Sequence, residues 1–325
     1  MTDVRKDPIF NFFNIDPNPR ILFDTTKQIA KEIKLNHPNK QLLDEWGDGL
    51  ALDSFFSGNY KNKLVITNNV IKCSPDQQKH IHTVVPTYYG QYFWDYPDQD
   101  VPIVKDFNCF INRFDFARQG WFYQLIRQGM IDHGYVSFNA DLSRVPDRDF
   151  LGLTAQQAFD LGFQKANSIF AEEHAVIRSQ IPYCNFEDTG DLTPYILGSK
   201  FSIILETFFH DNRIITFSEK TFRCLQLPRP WLLFSTQGGI EYLRSLGFDV
   251  LDDIVDHSYD SVEDPIQRQI CMLKIAKELM LQTVPIARCR TAVLHNKNLL
   301  KSMRENWAVN IQQDFELARQ KLLAL

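Results

Sequence analysis

The sequence predicts an α/β protein of two doubly wound, Rossmann-like domains facing a cleft, with a helical C-terminal extension. Three observations carry that expectation. Short apolar, β-branched runs alternate with segments whose apolar residues recur at helical spacing. The run Lys200–Thr207 (KFSIILET) is apolar enough for a strand buried on both faces, as strands of parallel sheets are. From Pro265 to Leu325 the pattern is helical almost throughout.

In the first third of the chain Ile21–Phe23, Lys63–Thr67 and His82–Val85 read as strands, separated by polar or helical segments such as Thr26–Ile33. Tyr88–Asp100, rich in aromatics, Gly, Pro and Asp, reads as an irregular loop, and the domain boundary is placed after it, near residue 105. Phe107–Asn112 is the next strand. Phe116–Met130 is a helix carrying Phe116, Trp121, Leu125, Ile126 and Met130 at helical spacing, ended by His133-Gly134. Tyr135–Phe138 completes a βαβ unit, and Thr154–Ser179 is a long helical region.

The strand at Lys200–Thr207 carries Glu206 at its C-terminal end, the end where open α/β sheets bind ligands. Ser218 is an N-cap residue for a helix running to about Leu227, where Pro228 and Pro230 stop it before the strand Trp231–Phe234. Gly238-Gly239 opens another helix, and Gly247 ends it as a C′ glycine. In the C-terminal region Ile266, Ile270, Leu273 and Met280 form one stripe. Three segments follow from this reading: an N-terminal α/β domain over 1–105, a second Rossmann-like domain over 106–285, and a helical segment over 286–325. Two such domains across a cleft make a GT-B-like architecture.

With 325 residues, 26 of them Phe, the chain can build a sizeable core, and a net charge of −5 argues against wholesale electrostatic binding to nucleic acid or anionic membrane. The six cysteines are far apart with no CxxC pair, so the expectation is reduced thiols rather than a zinc site or disulfide framework. The N-terminus lacks the apolar core of a signal peptide and no apolar run reaches membrane-spanning length, which predicts a cytoplasmic protein without membrane association.

Chemistry concentrates at Ser218-Glu219-Lys220. Glu219 suits the positive end of a helix, whereas Lys220 is a cation where the macrodipole disfavours one by roughly a few tenths of a kcal/mol. A bound anion would remove that conflict. The same pair also reads as ordinary surface charge of a first helical turn.

In order and spacing, Phe201–Glu206, Ser218-Glu-Lys220 and Pro230–Phe234 resemble the donor domain of alpha-1,3-fucosyltransferases: a strand ending in Glu, a short insert, a Thr-Glu-Lys sequence opening a helix, and a further strand. Upstream, Ile111-Asn112, Arg118 and Asp132-His-Gly134 are similar to the start of that domain. The likeness covers roughly residues 107–250 and extends to uncharacterised bacteriophage proteins with a Glu-Lys-Thr-Phe core and a Leu-Arg-x-Leu-Gly-Phe segment. Thr207-Phe-Phe follows Glu206 where the family has Asn-Ser, so guanine- and fucose-specific contacts are not carried over.

The resemblance implies an inverting, metal-independent glycosyltransferase using a nucleotide diphosphosugar, without a further cofactor. Arg118 and Lys220 would neutralise the diphosphate, Glu219 would bind ribose or sugar hydroxyls, Glu206 would help position the donor, Asn112 would belong to the same donor site, and Arg223 and Arg113 are alternative cations. Arg118 also reads as a side chain snorkelling between Phe116 and Trp121. A general base would come from the N-terminal domain, with Asp95, Asp98, Glu45, Asp48 and His82 as candidates. Asp98-Gln-Asp100 and Asp147-Arg-Asp149 have the DxD form of metal-dependent transferases but read as loops, and Asp252–Asp260 reads as an acidic loop able by composition to hold a cation. Arg288, Arg290, Lys297, Lys301 and Arg304 form a run without acids that would track a phosphate backbone if the acceptor were a hydroxymethylated base in phage DNA rather than a glycan. The competing class is a non-catalytic nucleotide- or sugar-binding module of the same fold.

Overall fold

The computed structural model describes residues 41–45, 63–67, 70–83, 89–94, 96, 100–111, 116–138, 183–186, 191–206 and 212–325. The expected strand Ile21–Phe23 and the helical stretches Thr26–Ile33 and Thr154–Ser179 lie outside them. Two parallel sheets organise the rest. The first contains β1 (Gln41–Glu45), β2 (Lys63–Thr67) and β4 (Ile81–Thr83), in the order β1-β2-β4. The second contains β5 (Lys105–Ile111), β6 (Gly134–Phe138), β7 (Tyr183–Cys184), β8 (Ser199–Leu205) and β10 (Trp231–Phe234), in the order β10-β8-β5-β6-β7. Only β7 runs antiparallel in it. A short antiparallel ribbon between β3 (Val70–Ile71) and β9 (Ile214–Ile215) ties the two sheets together.

Alternation along the central strands explains the layering. Phe107, Cys109 and Ile111 of β5 and Phe201, Ile203 and Leu205 of β8 join one core with α2 (Phe116–Arg127) and α6 (Pro265–Met280). Each such buried apolar side chain contributes roughly 1.5–3 kcal/mol. In this core Trp121 meets Phe234 edge-on at 5.1 Å and Phe122 stacks on Phe138 at 4.6 Å. On the other face Ile204, Trp231 and Leu233 pack with α4 (Glu219–Leu225), α5 (Gly239–Ser245) and Leu300 of α7 (Ile286–Glu305). Asn108 crosses between strands on this face, donating to Ser202 Oγ at 2.9 Å. The sheet is thus covered on both sides, which the near-continuous apolar reading of β8 required.

Tyr88–Asp100 was expected to be irregular, and its described residues are so apart from a short helical turn around Gly90–Tyr92; the segment is nonetheless packed, with Tyr89 buried against Phe222 (4.5 Å) and Tyr92 stacked on Phe222 at 5.0 Å. Gly90 permits this packing, because a Cβ there would stand 2.8 Å from the backbone of Arg304 in α7. The helix expected to end at His133-Gly134 stops at Arg127, with Gly129 at φ +66° closing it. In α6 the buried stripe is Met272, Leu273, Ile275, Ala276 and Leu279, and Ile270 is 52% exposed. The expected phase was off by part of a turn because buried Arg268, with its Nη1 donating to Glu263 O, occupies the apolar face.

The last helix, α8 (Trp307–Ala324), crosses back to the first sheet, where Lys321 donates to Gln78 O at 3.0 Å and His82 stands 3.8 Å from Asp314. No described helix is long and apolar enough to cross a membrane.

Candidate ligand site at the switch point of the second sheet

From β5 the chain moves through α2 to β6 on one side, then returns past β5 to β8 and moves on to β10 on the other. The order therefore reverses between β5 and β8, and the crevice outside the carboxyl ends of those two strands is the switch point of the sheet. Glu206 stands there, the first residue after β8, with no solvent exposure.

One oxygen of Glu206, Oε1, accepts from Ser218 N–H at 2.9 Å and from the Thr221 hydroxyl at 2.5 Å. The carboxylate thus anchors the turn before α4 and its first turn. Ser218 is the N-cap, as its extended backbone (φ −104°) and the Lys220 N–H donating to its hydroxyl at 3.4 Å show. The other oxygen, Oε2, is buried and has no hydrogen-bond partner among the described residues. Thr221, fully buried, is a partner of Glu206 that the sequence reading missed. Its signal was present: a hydroxyl three residues after an N-cap and one turn from a strand-end carboxylate.

Two cations share this edge. Lys220 Nζ donates to Leu205 O at 3.3 Å, placing the ammonium over the end of β8. Arg118, in the first turn of α2, is 2% exposed, so it does not snorkel to solvent as one reading of the sequence had it. Both bear on Cys109 in β5, whose thiol burial pushes up to about 12 against the opposing pull of Lys220 and Arg118. Glu219 is exposed at the start of α4. Arg223 lies beside Tyr96, whose hydroxyl burial pushes up to about 12 while Arg223 opposes the shift. Asn112 and Arg113 lie outside the described residues.

The Asp132-His-Gly134 turn does not join this group. It precedes β6, so it sits at the amino edge of a parallel sheet while Glu206 sits at the carboxyl edge. There His133 and Lys200 contact Asp106 at 3.2 and 2.7 Å.

Of the general-base candidates, Asp48, Asp95 and Asp98 lie outside the described residues, Glu45 ends β1, and His82 faces Asp314 on α8. Of the two DxD sequences only Asp100 is described, and it is exposed 3.8 Å from Arg290. The Asp252–Asp260 segment is held by internal bonds. Asp252 binds Arg244, Asp253 binds Arg288, Asp256 accepts from Ser258 N–H, and Asp260 accepts from Glu241 N–H. Among the described residues no group of three or more His, Cys, Asp or Glu is arranged to hold a metal ion.

The basic run on α7 is engaged within the chain, contrary to the phosphate-tracking face its composition suggested. Arg288 pairs with Asp249 and Asp253 at 2.8 Å, Lys297 donates to Tyr96 O at 2.6 Å, and Lys301 pairs with Glu305 at 3.8 Å. Arg304 donates to Phe93 O at 3.3 Å and lies over the Phe93 ring. Apart from Glu305, which follows the run directly in α7, these acids and carbonyls come from other segments, so the absence of acids within the run concealed them.

No protein-family model, curated protein or solved structure matches the chain.

Proposed function

We propose that the protein is a glycosyltransferase that takes its sugar from a nucleotide diphosphosugar held between the ends of β5 and β8, its two sheets forming the facing halves of a GT-B architecture. The supporting observation is the half-used carboxylate of Glu206, fully buried with Oε2 unpartnered among the described residues, at an edge shared with Arg118 and Lys220. A buried acceptor without a donor costs about 1–3 kcal/mol, and such groups in folded proteins call for an explanation. A ligand bearing hydroxyls supplies the missing donor. A diphosphate on the same ligand suits the two cations.

The chemistry needs both. As the acceptor oxygen bonds to the anomeric carbon, the bond from that carbon to the diphosphate breaks, and the leaving group takes up negative charge that fixed cations stabilise. The acceptor proton passes to a general base. Ser218 already occupies the Lys220 N–H, so side chains rather than the start of α4 carry the recognition.

A thermal-shift panel of GDP-, UDP- and CMP-sugars tests this reading. One of them raises the melting temperature and is slowly hydrolysed, and both effects are lost in Lys220→Ala. Binding without any hydrolysis or transfer would favour a non-catalytic sugar-nucleotide module of the same fold. A panel that gives no shift overturns both.

A further inference from the structure

A second cavity lies beyond the carboxyl end of β10. It is a cleft of about 680 Å³, within the range of roughly 300–1,000 Å³ usual for small-molecule sites. Its walls come from distant parts of the chain: Lys72, which follows β3, and the 237–261 region around the start of α5. Lys72 Nζ closes one side by donating to Gln237 O at 2.6 Å.

The lining chemistry is selective. Arg244 is spent on Asp252 (2.9 and 2.6 Å) and Glu241 (2.8 Å), and Asp260 is buried as the acceptor of the Glu241 N–H. A phosphate placed here would face Glu241, Asp252 and Asp256 with Lys72 as the remaining cation, so the cleft disfavours anions. Val255 is the one aliphatic side chain among the described lining residues and is itself buried, so the cleft holds no cluster of aliphatic side chains for an apolar ligand. The polar groups of the cleft are mainly acceptors: the second carboxylate oxygen of Asp256, the Gln237 side-chain oxygen and the Ser258 hydroxyl, alongside further protons on Lys72. Satisfying them takes many donors without negative charge. Sugar hydroxyls, each donor and acceptor, meet that requirement.

Position links the cleft to the switch-point site. Strands β8 and β10 are neighbours, and Glu206 N–H donates to Phe234 O at 3.0 Å, so the two sites open at the same edge one strand apart. We propose that this cleft binds a neutral saccharide, which serves as acceptor of the transfer proposed above; the acceptor role, though not the binding, rests on that reading.

The test uses the labelled full-length protein on an array of neutral, sialylated and sulfated glycans, with the nucleotide-sugar thermal shift measured in parallel. Neutral glycans are captured, and capture weakens by about tenfold or more in Lys72→Gln and in Asp256→Asn, the weight of one hydrogen bond to a charged group. The nucleotide-sugar shift stays unchanged in both variants. Asp256→Asn keeps an oxygen for the Ser258 N–H, and an unaltered melting temperature shows that it folds. Capture of anionic glycans alone, capture indifferent to both substitutions, or no capture overturns the proposal. A nucleotide-sugar shift without glycan capture overturns the cleft assignment alone. Glycan capture that responds to both substitutions without any nucleotide-sugar shift supports the saccharide site and overturns the donor reading.

Discussion

At the carboxyl end of β8, Glu206 accepts the Ser218 N–H and the Thr221 hydroxyl and so docks the start of α4; at the end of neighbouring β10, Asp260 accepts the Glu241 N–H and so docks the start of α5. Both carboxylates are buried. Asp260 is furnished further, since burial raises its pKa while the Ile240 and Glu241 amides and the charges of Arg268 and Arg244 oppose that rise. Glu206 keeps one oxygen without a partner among the described residues. A carboxylate docking a helix start is completed beside β10, by a residue of the 258–261 turn, and half-used at the end of β8. The comparison separates two demands that a buried carboxylate can serve: holding a helix start in place, and leaving capacity for a molecule from outside.

Removing Glu206 has the largest expected effect. Glu206→Ala leaves the Ser218 amide and Thr221 hydroxyl without their acceptor and empties a closed site, a loss of about 3–5 kcal/mol in the range seen when a buried charged partner is removed. Urea denaturation measures it. Glu206→Gln retains an oxygen for those donors and sharpens the contrast: it should fold, yet bind nucleotide sugar more weakly. Unchanged binding in the Gln variant would mean that the second oxygen has no role.

The completed end can be broken from the other side. Tyr259 is fully buried, its hydroxyl accepts the Leu233 N–H at 3.0 Å, and it stands 3.2 Å from His257 Nδ1. Tyr259→Phe strands a buried amide and should cost about 1–3 kcal/mol. No effect on nucleotide-sugar binding is expected, because Tyr259 serves β10 rather than the switch point.

Lys220→Ala probes the half-used end with little effect on the fold. Its ammonium donates to Leu205 O at a long 3.3 Å and the side chain is only half-buried, so stability should change by about 1 kcal/mol or less. Nucleotide-sugar affinity should fall about tenfold or more, as expected for loss of a charge-assisted contact. Equal affinity in calorimetry would remove Lys220 from the site.

How much of this was legible in the sequence follows from the range of each signal. The β8–α4–β10 unit was readable because its cues are local: an apolar run, a Ser cap, and prolines after the helix, and the observed helix ends at Leu225, two residues short of the expected stop. Placing Glu206 at a strand end was also local. Which strands adjoin it was not, so Asp132-His-Gly134 was grouped with residues at the opposite edge of the sheet. The basic run on α7 misled for the same reason: Asp249 and Asp253 lie 39 and 35 residues before Arg288. The cleft beyond β10 was legible only in part: the acidic segment Asp252–Asp260 that lines it stood out, but Lys72 meets Gln237 across 165 residues.

The smallest expected effect is a slope in stability with pH, and it belongs to the completed end. His257 is buried, with Nε2 2.8 Å from Val250 O and Nδ1 facing the Tyr259 hydroxyl, an arrangement that the neutral ring satisfies. Burial lowers its pKa, opposed by the bond to Val250. The unfolded chain, in which His titrates near about 6.5, therefore binds more protons than the folded one between that value and the lowered native one. Stability contributed by the neutral ring is full above about 6.5, falls as the pH drops through the window below it, and levels off beneath the native pKa. Asp260 contributes the opposite slope at lower pH, since its raised pKa makes the folded state the better proton binder just above the ordinary carboxylate value. His257→Gln should abolish the first slope and leave the second. Denaturation midpoints taken between pH 8 and pH 5 that fall equally in wild type and variant would show that the β10 end is held by something other than this neutral histidine.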